Sequence, residues 1–89
     1  MCLLFVKSIN CGVCDVVLEK TIGLLQEYPM IKSMLVPMDT VPQVAAEYLV
    51  FTAPALLFFV GGKEVSRHAR FIKFEDLERE FHNWKELTE

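Results

Sequence analysis

The fold is decided by residues 3–14, which read LLFVKSINCGVC. The apolar run at 3–6 predicts a buried strand, and apolar residues at helical spacing begin at Val13. Cys11 and Cys14 therefore lie at the turn from a strand into a helix. The N–H groups and the positive dipole end of a helix stabilise a thiolate, which is the nucleophile of disulfide exchange. We expect this pair to cycle between dithiol and disulfide.

Size and composition predict one packed domain over residues 1–89. The chain is 53% hydrophobic and has only four Gly and four Pro, which is typical of a chain with a hydrophobic core. Three cysteines are too few for a disulfide framework, and an odd number would leave one thiol unpaired in an oxidising compartment. A cytoplasmic, reducing location is therefore expected.

Charge and hydropathy predict neither nucleic acid nor membrane as a partner. The net charge is −3, and Lys and Arg are dispersed rather than gathered into a basic stripe. The apolar run near the N-terminus is shorter than a signal peptide or a membrane span requires and has no basic segment before it. We expect a soluble, unprocessed chain.

The hydrophobic pattern predicts seven elements in the order βαβαββα. Pro29 stops the first helix, Pro42 suits the first turn of the second with Asp39 or Thr40 as its cap, and Gly61-Gly62 forms a hairpin turn. The strands are expected at 2–7, 31–38, 55–60 and 63–68, and the helices at 13–28, from the 39–42 segment to 48, and at 71–84.

The connections between these elements predict one mixed four-stranded sheet. A strand–helix–strand unit requires a parallel pair with a right-handed crossover, whereas the hairpin requires an antiparallel pair. A single sheet with helices on both faces satisfies both requirements. The cysteine turn then lies at the carboxyl end of the first strand, where open α/β sheets place their functional sites.

Three landmarks resemble those of the thioredoxin-like family over nearly the whole chain. They are the Cys-Gly-x-Cys turn, the stretch YLVFTAPALLFFVGGK at 48–63, and the spacing to Leu77 in the last helix. The resemblance implies an α/β/α three-layer sandwich that lacks the N-terminal strand and helix of full thioredoxins. It also implies a cis peptide bond before Pro54, facing the cysteines, and an Ala53 backbone that pairs with an extended substrate.

Five positions around the turn depart from the family pattern. Asn10, Val13 and Asp15 stand where the family has Trp, Pro and Lys. Phe5 replaces the buried acid of the first strand, and Leu35 replaces the lysine that approaches it. The resemblance therefore does not supply the usual proton relay.

Position in the helix and the resemblance suggest roles for individual residues. Cys11, at the N-terminus of the predicted helix and nearer solvent, is expected to be the nucleophile, and Cys14, one turn in, the resolving cysteine. Arg70 replaces a small glycine before the last helix, which would place a cation in the substrate-binding groove beside Ala53 and Pro54. Asp15 would disfavour a thiolate at Cys11, whereas Arg70 would favour it.

Other reactive or aromatic side chains are expected to be structural. A zinc site needs two further ligands, and only Cys2, His68 and His82 remain, scattered singly. Cys2 is expected to be a small buried hydrophobe and both histidines to face solvent. Three phenylalanines are expected to form part of the core or the wall of the groove: Phe51, Phe71 and Phe74. An exposed aromatic side chain near Cys11 would instead favour partner binding.

The sequence as a whole predicts a thiol–disulfide oxidoreductase or electron carrier that acts on protein disulfides. Its chemistry resides in Cys11 and Cys14, with no cofactor and no metal, and a thioredoxin reductase or glutathione would reduce it again. Three alternatives remain open: a glutaredoxin-like, glutathione-dependent reductase, a non-catalytic interaction module, and a metal-binding module that uses the same cysteines.

Overall fold

The computed structural model describes residues 1–88, and its elements follow the predicted order βαβαββα. The strands are β1 (Cys2–Lys7), β2 (Lys32–Pro37), β3 (Ala55–Val60) and β4 (Lys63–Ala69). The helices are α1 (Cys14–Leu25), α2 (Pro42–Glu47) and α3 (Phe74–Thr88).

The four strands form the mixed sheet that the sequence predicts, in the order β2-β1-β3-β4. β1 is parallel to β2 and antiparallel to β3, and β4 is antiparallel to β3. Val6 pairs with Ala55, and Ala55 pairs with Ala69. The segments 8–13, 51–54 and 70–73 therefore meet at one end of the sheet, which we call the cysteine end.

Alternate residues of β1 point to opposite faces of the sheet and build two cores. Leu3 and Phe5 pack with residues of α1 and α3 on one face. Leu4 and Val6 pack with Ala45 of α2 on the other face. The three-layer α/β/α arrangement is thus confirmed.

The helices begin and end at different residues from those that the periodicity predicts. α1 ends at Leu25 rather than at Tyr28, because the chain tightens into a turn in which the N–H of Tyr28 donates to the carbonyl of Leu25. Tyr28 is nevertheless buried, with its ring edge-on to Phe81. α3 begins at Phe74 rather than at 71 and ends at Thr88, and the residue before the predicted start, Arg70, has a positive φ of 66°.

The predicted cap of α2 is wrong. The residue that precedes the helix is Val41, which makes no side-chain cap hydrogen bond, although Pro42 does occupy the first turn. Asp39 instead accepts a hydrogen bond from the backbone N–H of Ile9 at 2.7 Å. The carboxylate thus ties the loop before Cys11 to the end of β2.

The two edge strands differ in their protection by charge. β4 carries Lys63, Glu64 and Arg67, whereas β2 has four uncharged residues between its terminal Lys32 and Pro37. On β2, Met34 is 58% exposed and Leu35 is 45% exposed. Charged edges resist pairing with other chains, so β2 is the less protected edge.

An open groove of about 670 Å³ lies beside β2, between α2 and the start of β1. Cys2 is only half-buried and lines this groove, which corrects the expectation that it is a buried hydrophobe. Within residues 1–88, no helix is both long enough and apolar enough to span a membrane.

Candidate functional site

Cys11 and Cys14 are joined by a disulfide bond, with their Cα atoms 5.4 Å apart. Cys14 is the first residue of α1 and is only 2% exposed. Cys11 is half-buried and lies outside the helix, in a turn in which its carbonyl accepts from the N–H of Cys14 at 3.3 Å. An incoming sulfur therefore reaches Cys11 more readily than Cys14.

The disulfide is flanked by exposed residues of the turn and the first helical turn. Gly12 and Val13 are exposed, and Val13 is the residue that precedes α1. Asp15 is also exposed and lies in the first turn of α1. The turn therefore presents a small apolar surface and one carboxylate to a partner.

Pro54 lies at the same end of the sheet as the disulfide. The Ala53–Pro54 peptide bond is cis, as the family resemblance implies. Pro54 is buried and directly precedes β3, and Ala53 is half-buried. The carbonyl of Pro54 accepts a hydrogen bond from the backbone N–H of Arg70 at 2.9 Å.

That hydrogen bond places Arg70 beside the cis-proline segment, at the cysteine end. Arg70 has φ 66°, in the left-handed region that favours glycine, which accounts for the glycine expected there from the resemblance. The side chain is exposed and forms no hydrogen bond or ion pair with the residues that the structure describes. An arginine does not itself signal a positive φ, so the one signal for this conformation in the sequence was the glycine that the resemblance places here.

Four large apolar side chains are exposed at the cysteine end. Phe51 and Phe71 were expected in the core or in the wall of the groove. They are not core residues, because they are 72% and 89% exposed. Ile9 and Val13 are 77% and 56% exposed. Phe74 does pack against the core beneath α3. We call Ile9, Val13, Phe51 and Phe71 the apolar rim.

The loop before Cys11 is held by two hydrogen bonds that the sequence pattern did not indicate. One is the Ile9–Asp39 bond, and the other runs from the N–H of Met38 to the carbonyl of Lys7 at 2.9 Å. Both join the end of β1 to the end of β2. From the sequence, Asp39 could be recognised only as a possible cap of α2. A short acidic side chain before a helix can either cap that helix or accept a hydrogen bond from another loop, and the sequence does not distinguish the two.

The core beneath the turn holds no charged side chain. Phe5 is 3% exposed and packs in the core on the face of α1 and α3, and it pairs with Leu35 of β2. The buried residues within 1–88 include no Asp, Glu, Lys, Arg or His. The buried carboxylate of the family pattern therefore has no substitute elsewhere in the described core.

The two histidines differ in their surroundings. The prediction that His68 faces solvent is wrong. Its side chain is 14% exposed, and its Nε2 lies 3.0 Å from both carboxylate oxygens of Glu80 on α3. His82 is 61% exposed and lies 3.9 Å from Glu86. Within residues 1–88, no three Cys, His, Asp or Glu side chains are grouped to hold a metal ion.

Known proteins resemble this chain both in sequence and in fold. It is 40% identical over 76 residues to the thioredoxin-like protein YdfQ of Bacillus subtilis, a match that spans 85% of this chain and 68% of that protein. The crystal structure of a thioredoxin-like protein from Bacillus cereus is 37% identical, with a TM-score of 0.75 over 93% of this chain and 86% of the other.

The fold likeness extends to a thioredoxin of the same reduced length. Thioredoxin 1 of Thermosipho africanus superimposes with a TM-score of 0.90 at 23% identity, over 99% of this chain and 98% of its own. No protein-family model matches the chain. The comparisons agree on the three-layer fold, and in this chain the cysteine pair follows β1 in that fold.

Proposed function

Because the chain belongs to the thioredoxin-like family, we propose that it is a thiol–disulfide oxidoreductase that acts on protein disulfides through Cys11 and Cys14. The observation that carries the proposal is the disulfide at the turn, with Cys11 accessible and Cys14 buried at the start of α1. Two cysteines in this arrangement can exchange two electrons with a partner.

In the reduced protein, the Cys11 thiolate attacks one sulfur of a substrate disulfide. The substrate S–S bond breaks, a Cys11–substrate disulfide forms, and the departing substrate thiolate takes a proton. Cys14 then loses its proton and attacks the Sγ of Cys11, which closes the Cys11–Cys14 disulfide and releases the second substrate thiol. Two electrons pass from the protein to the substrate. A thioredoxin reductase or glutathione then returns the pair to the dithiol.

Proton transfer in the second step differs from that of a protein with a buried acid. Cys14 is 2% exposed, and burial in apolar surroundings disfavours a thiolate. Since Phe5 leaves the core without a carboxylate, we propose that the proton of Cys14 passes to the leaving thiolate or to water at the turn. Deprotonation of the buried Cys14 is therefore part of the resolving step.

The proposal is tested by trapping. Reduced Cys14→Ser should form a stable mixed disulfide with insulin, visible as an added mass at Cys11, whereas Cys11→Ser should not. The unaltered protein should reduce insulin when supplied with a thioredoxin reductase system. Trapping that requires Cys11→Ser would reverse the roles, and bound zinc at one equivalent with no reduction would support a metal-binding module.

A second candidate is a glutaredoxin-like protein that uses glutathione. The Thr52-Ala53-Pro54 segment resembles that family, and the chain has a similarly short core. Reduction of a glutathione mixed disulfide, faster than reduction of insulin, would favour this candidate. In either case we place the reaction in a reducing cytoplasm, where Cys2 remains a thiol.

A further inference from the structure

We propose that Arg70 makes the protein selective for disulfides whose cysteine lies in an extended segment with an acidic side chain next to it. This inference rests on the proposed function and names its substrate class. The backbone of Arg70 is fixed by its hydrogen bond to the carbonyl of Pro54, which places this exposed residue at the border of the cis-proline segment. A substrate cysteine bonded to Cys11 brings its neighbours to this border.

The charge of Arg70 is available to a partner. Its side chain has no ion pair within residues 1–88, whereas Arg67 and Arg79 are paired with Glu64 and Asp76. Asp39, which holds the loop before the redox turn, is engaged by the Ile9 N–H, and Asp15, in the first turn of α1, is not bonded to Arg70. A guanidinium binds a carboxylate through two parallel hydrogen bonds, and that geometry favours an acidic residue.

The apolar rim supplies the rest of the contact. Its four residues, Ile9, Val13, Phe51 and Phe71, are each more than half exposed. They lie in segments at the same end of the sheet as the disulfide. An apolar surface that is exposed and bordered by charge is typical of a protein-binding site. Water that the rim excludes would also strengthen the pairing between Arg70 and a carboxylate.

The backbone of Arg70 points to a functional reason for the arginine. A positive φ at a residue with a Cβ is strained, and such strain concentrates at functional sites. Glycine would adopt this conformation freely. The proposed contact with a carboxylate gives a reason for an arginine in this strained position.

The test uses a pair of short peptides, each closed by a single disulfide and identical except for Glu or Lys beside one cysteine. The reduced protein is mixed with each peptide, and the second-order rate constant of reduction is measured by stopped flow. The Glu peptide should react about threefold to tenfold faster, as expected when one exposed ion pair replaces one repulsion. The ratio should fall towards one at 1 M salt.

Charge reversal at the arginine makes the test specific. Arg70→Glu should invert the preference, and Arg70→Gln should abolish it. The matched control is Lys63→Glu, which changes the net charge equally but lies by the hairpin at the opposite end of the sheet. That variant should keep the preference of the unaltered protein.

Apolar truncation separates the rim from the charge. Phe71→Ala should slow the reduction of both peptides alike and leave their ratio unchanged. Leu87→Ala removes an apolar side chain that is 74% exposed near the far end of α3, and it should change neither rate.

A neutral small disulfide, 2,2′-dithiodipyridine, distinguishes failure of the selectivity from failure of the function. The unaltered protein and the Lys63→Glu and Leu87→Ala controls should reduce it at similar rates, and the rate of each Arg70 variant with this compound corrects its peptide rates for any change in the reactivity of Cys11. Equal rates with both peptides, or a preference that survives Arg70→Glu, would overturn the role of Arg70. Failure to reduce either peptides or dithiodipyridine would instead overturn the proposed function.

Discussion

Arg67 links β4 to the end of α2 through a single guanidinium. It donates to the carbonyls of Tyr48 and Leu49 at 2.7 and 2.9 Å and binds both carboxylate oxygens of Glu64. Both carbonyls belong to the residues that directly follow α2, where a cation also suits the negative end of the helix dipole. Arg67 therefore ties the chain after α2 to β4, and its hydrogen bond holds the pKa of the Glu64 carboxyl below its usual range.

This pairing predicts acid sensitivity at Glu64. A carboxyl whose pKa is lowered by folding stabilises the protein above its unfolded pKa, and the contribution disappears as the pH falls through the folded pKa. Glu64→Gln should therefore lower the free energy of unfolding at pH 7, and its difference from the unaltered protein should shrink towards pH 3. Urea unfolding followed by circular dichroism measures both values. A difference that grows with acidity would contradict the pairing.

The strained backbone of Arg70 predicts a trade of selectivity against stability. Arg70→Gly should raise the free energy of unfolding by about 0.5 to 1 kcal/mol, because the left-handed conformation costs an arginine more than a glycine. The same replacement at Lys63, which lies in a strand, should lower stability by a similar amount. Urea unfolding measures both, and a less stable Arg70→Gly variant would rule out strain.

Among the elements, the strands follow the sequence pattern more closely than the helix ends do. Buried apolar runs define β1 and β3, and the Gly61-Gly62 hairpin fixes the start of β4. The predicted starts of α1 and α3 were wrong for a physical reason. Val13 and Phe71 continue the apolar spacing of these helices, but they belong to the apolar rim and not to a helix face. Apolar residues that bind partners cannot be told from core residues by periodicity alone.

The functional site divides in the same way. Cys11, Cys14 and Pro54 could be placed from the sequence because their motif has a fixed spacing in the thioredoxin-like family. The exposure of Phe51 could not be predicted, because it depends on the path of the 51–54 segment at the end of the sheet. The hydrogen bond from the Ile9 N–H to Asp39 joins residues 30 apart in the chain, which no local pattern reveals.

The Asp39 contact predicts the order of the loop before Cys11. In Asp39→Ala, the amide proton of Ile9 should exchange with solvent at least about tenfold faster, as expected when a charge-assisted hydrogen bond worth about 1.5 kcal/mol or more is lost. Asp39→Asn keeps an acceptor and should show a smaller change. Thr40→Ala is the control, because its side chain makes no such bond. Hydrogen exchange by NMR reads the Ile9 amide directly, and an unchanged rate in Asp39→Ala would refute the contact.

At the scale of the whole molecule, the unequal edges of the sheet predict which strand would mediate aggregation. β2 presents Met34 and Leu35 beside an open apolar groove, whereas β4 is guarded by charges. We expect chains that associate on heating to do so through β2. An uncharged edge strand offers unpaired backbone groups to another chain.

Charge placed on this edge should slow that association. Leu35→Lys should lower the rate of turbidity increase on heating at least about twofold, because a lysine on an edge opposes strand pairing. Val65→Lys places the same charge on β4 at a side chain that is 36% exposed, and it should have little effect. Light scattering at a fixed temperature below the unfolding midpoint provides the measurement. Equal slowing by both variants would attribute the effect to net charge.

The half-buried Cys2 stands at the opposite end of β1 from the cysteine pair. A strand of six residues spans roughly 20 Å, so this sulfur lies beyond the reach of Cys11 within one molecule. With the pair oxidised, Cys2 is the free thiol of the chain. A fluorophore or an electrode linker attached there would give every molecule the same orientation, with its reactive disulfide directed towards the solution.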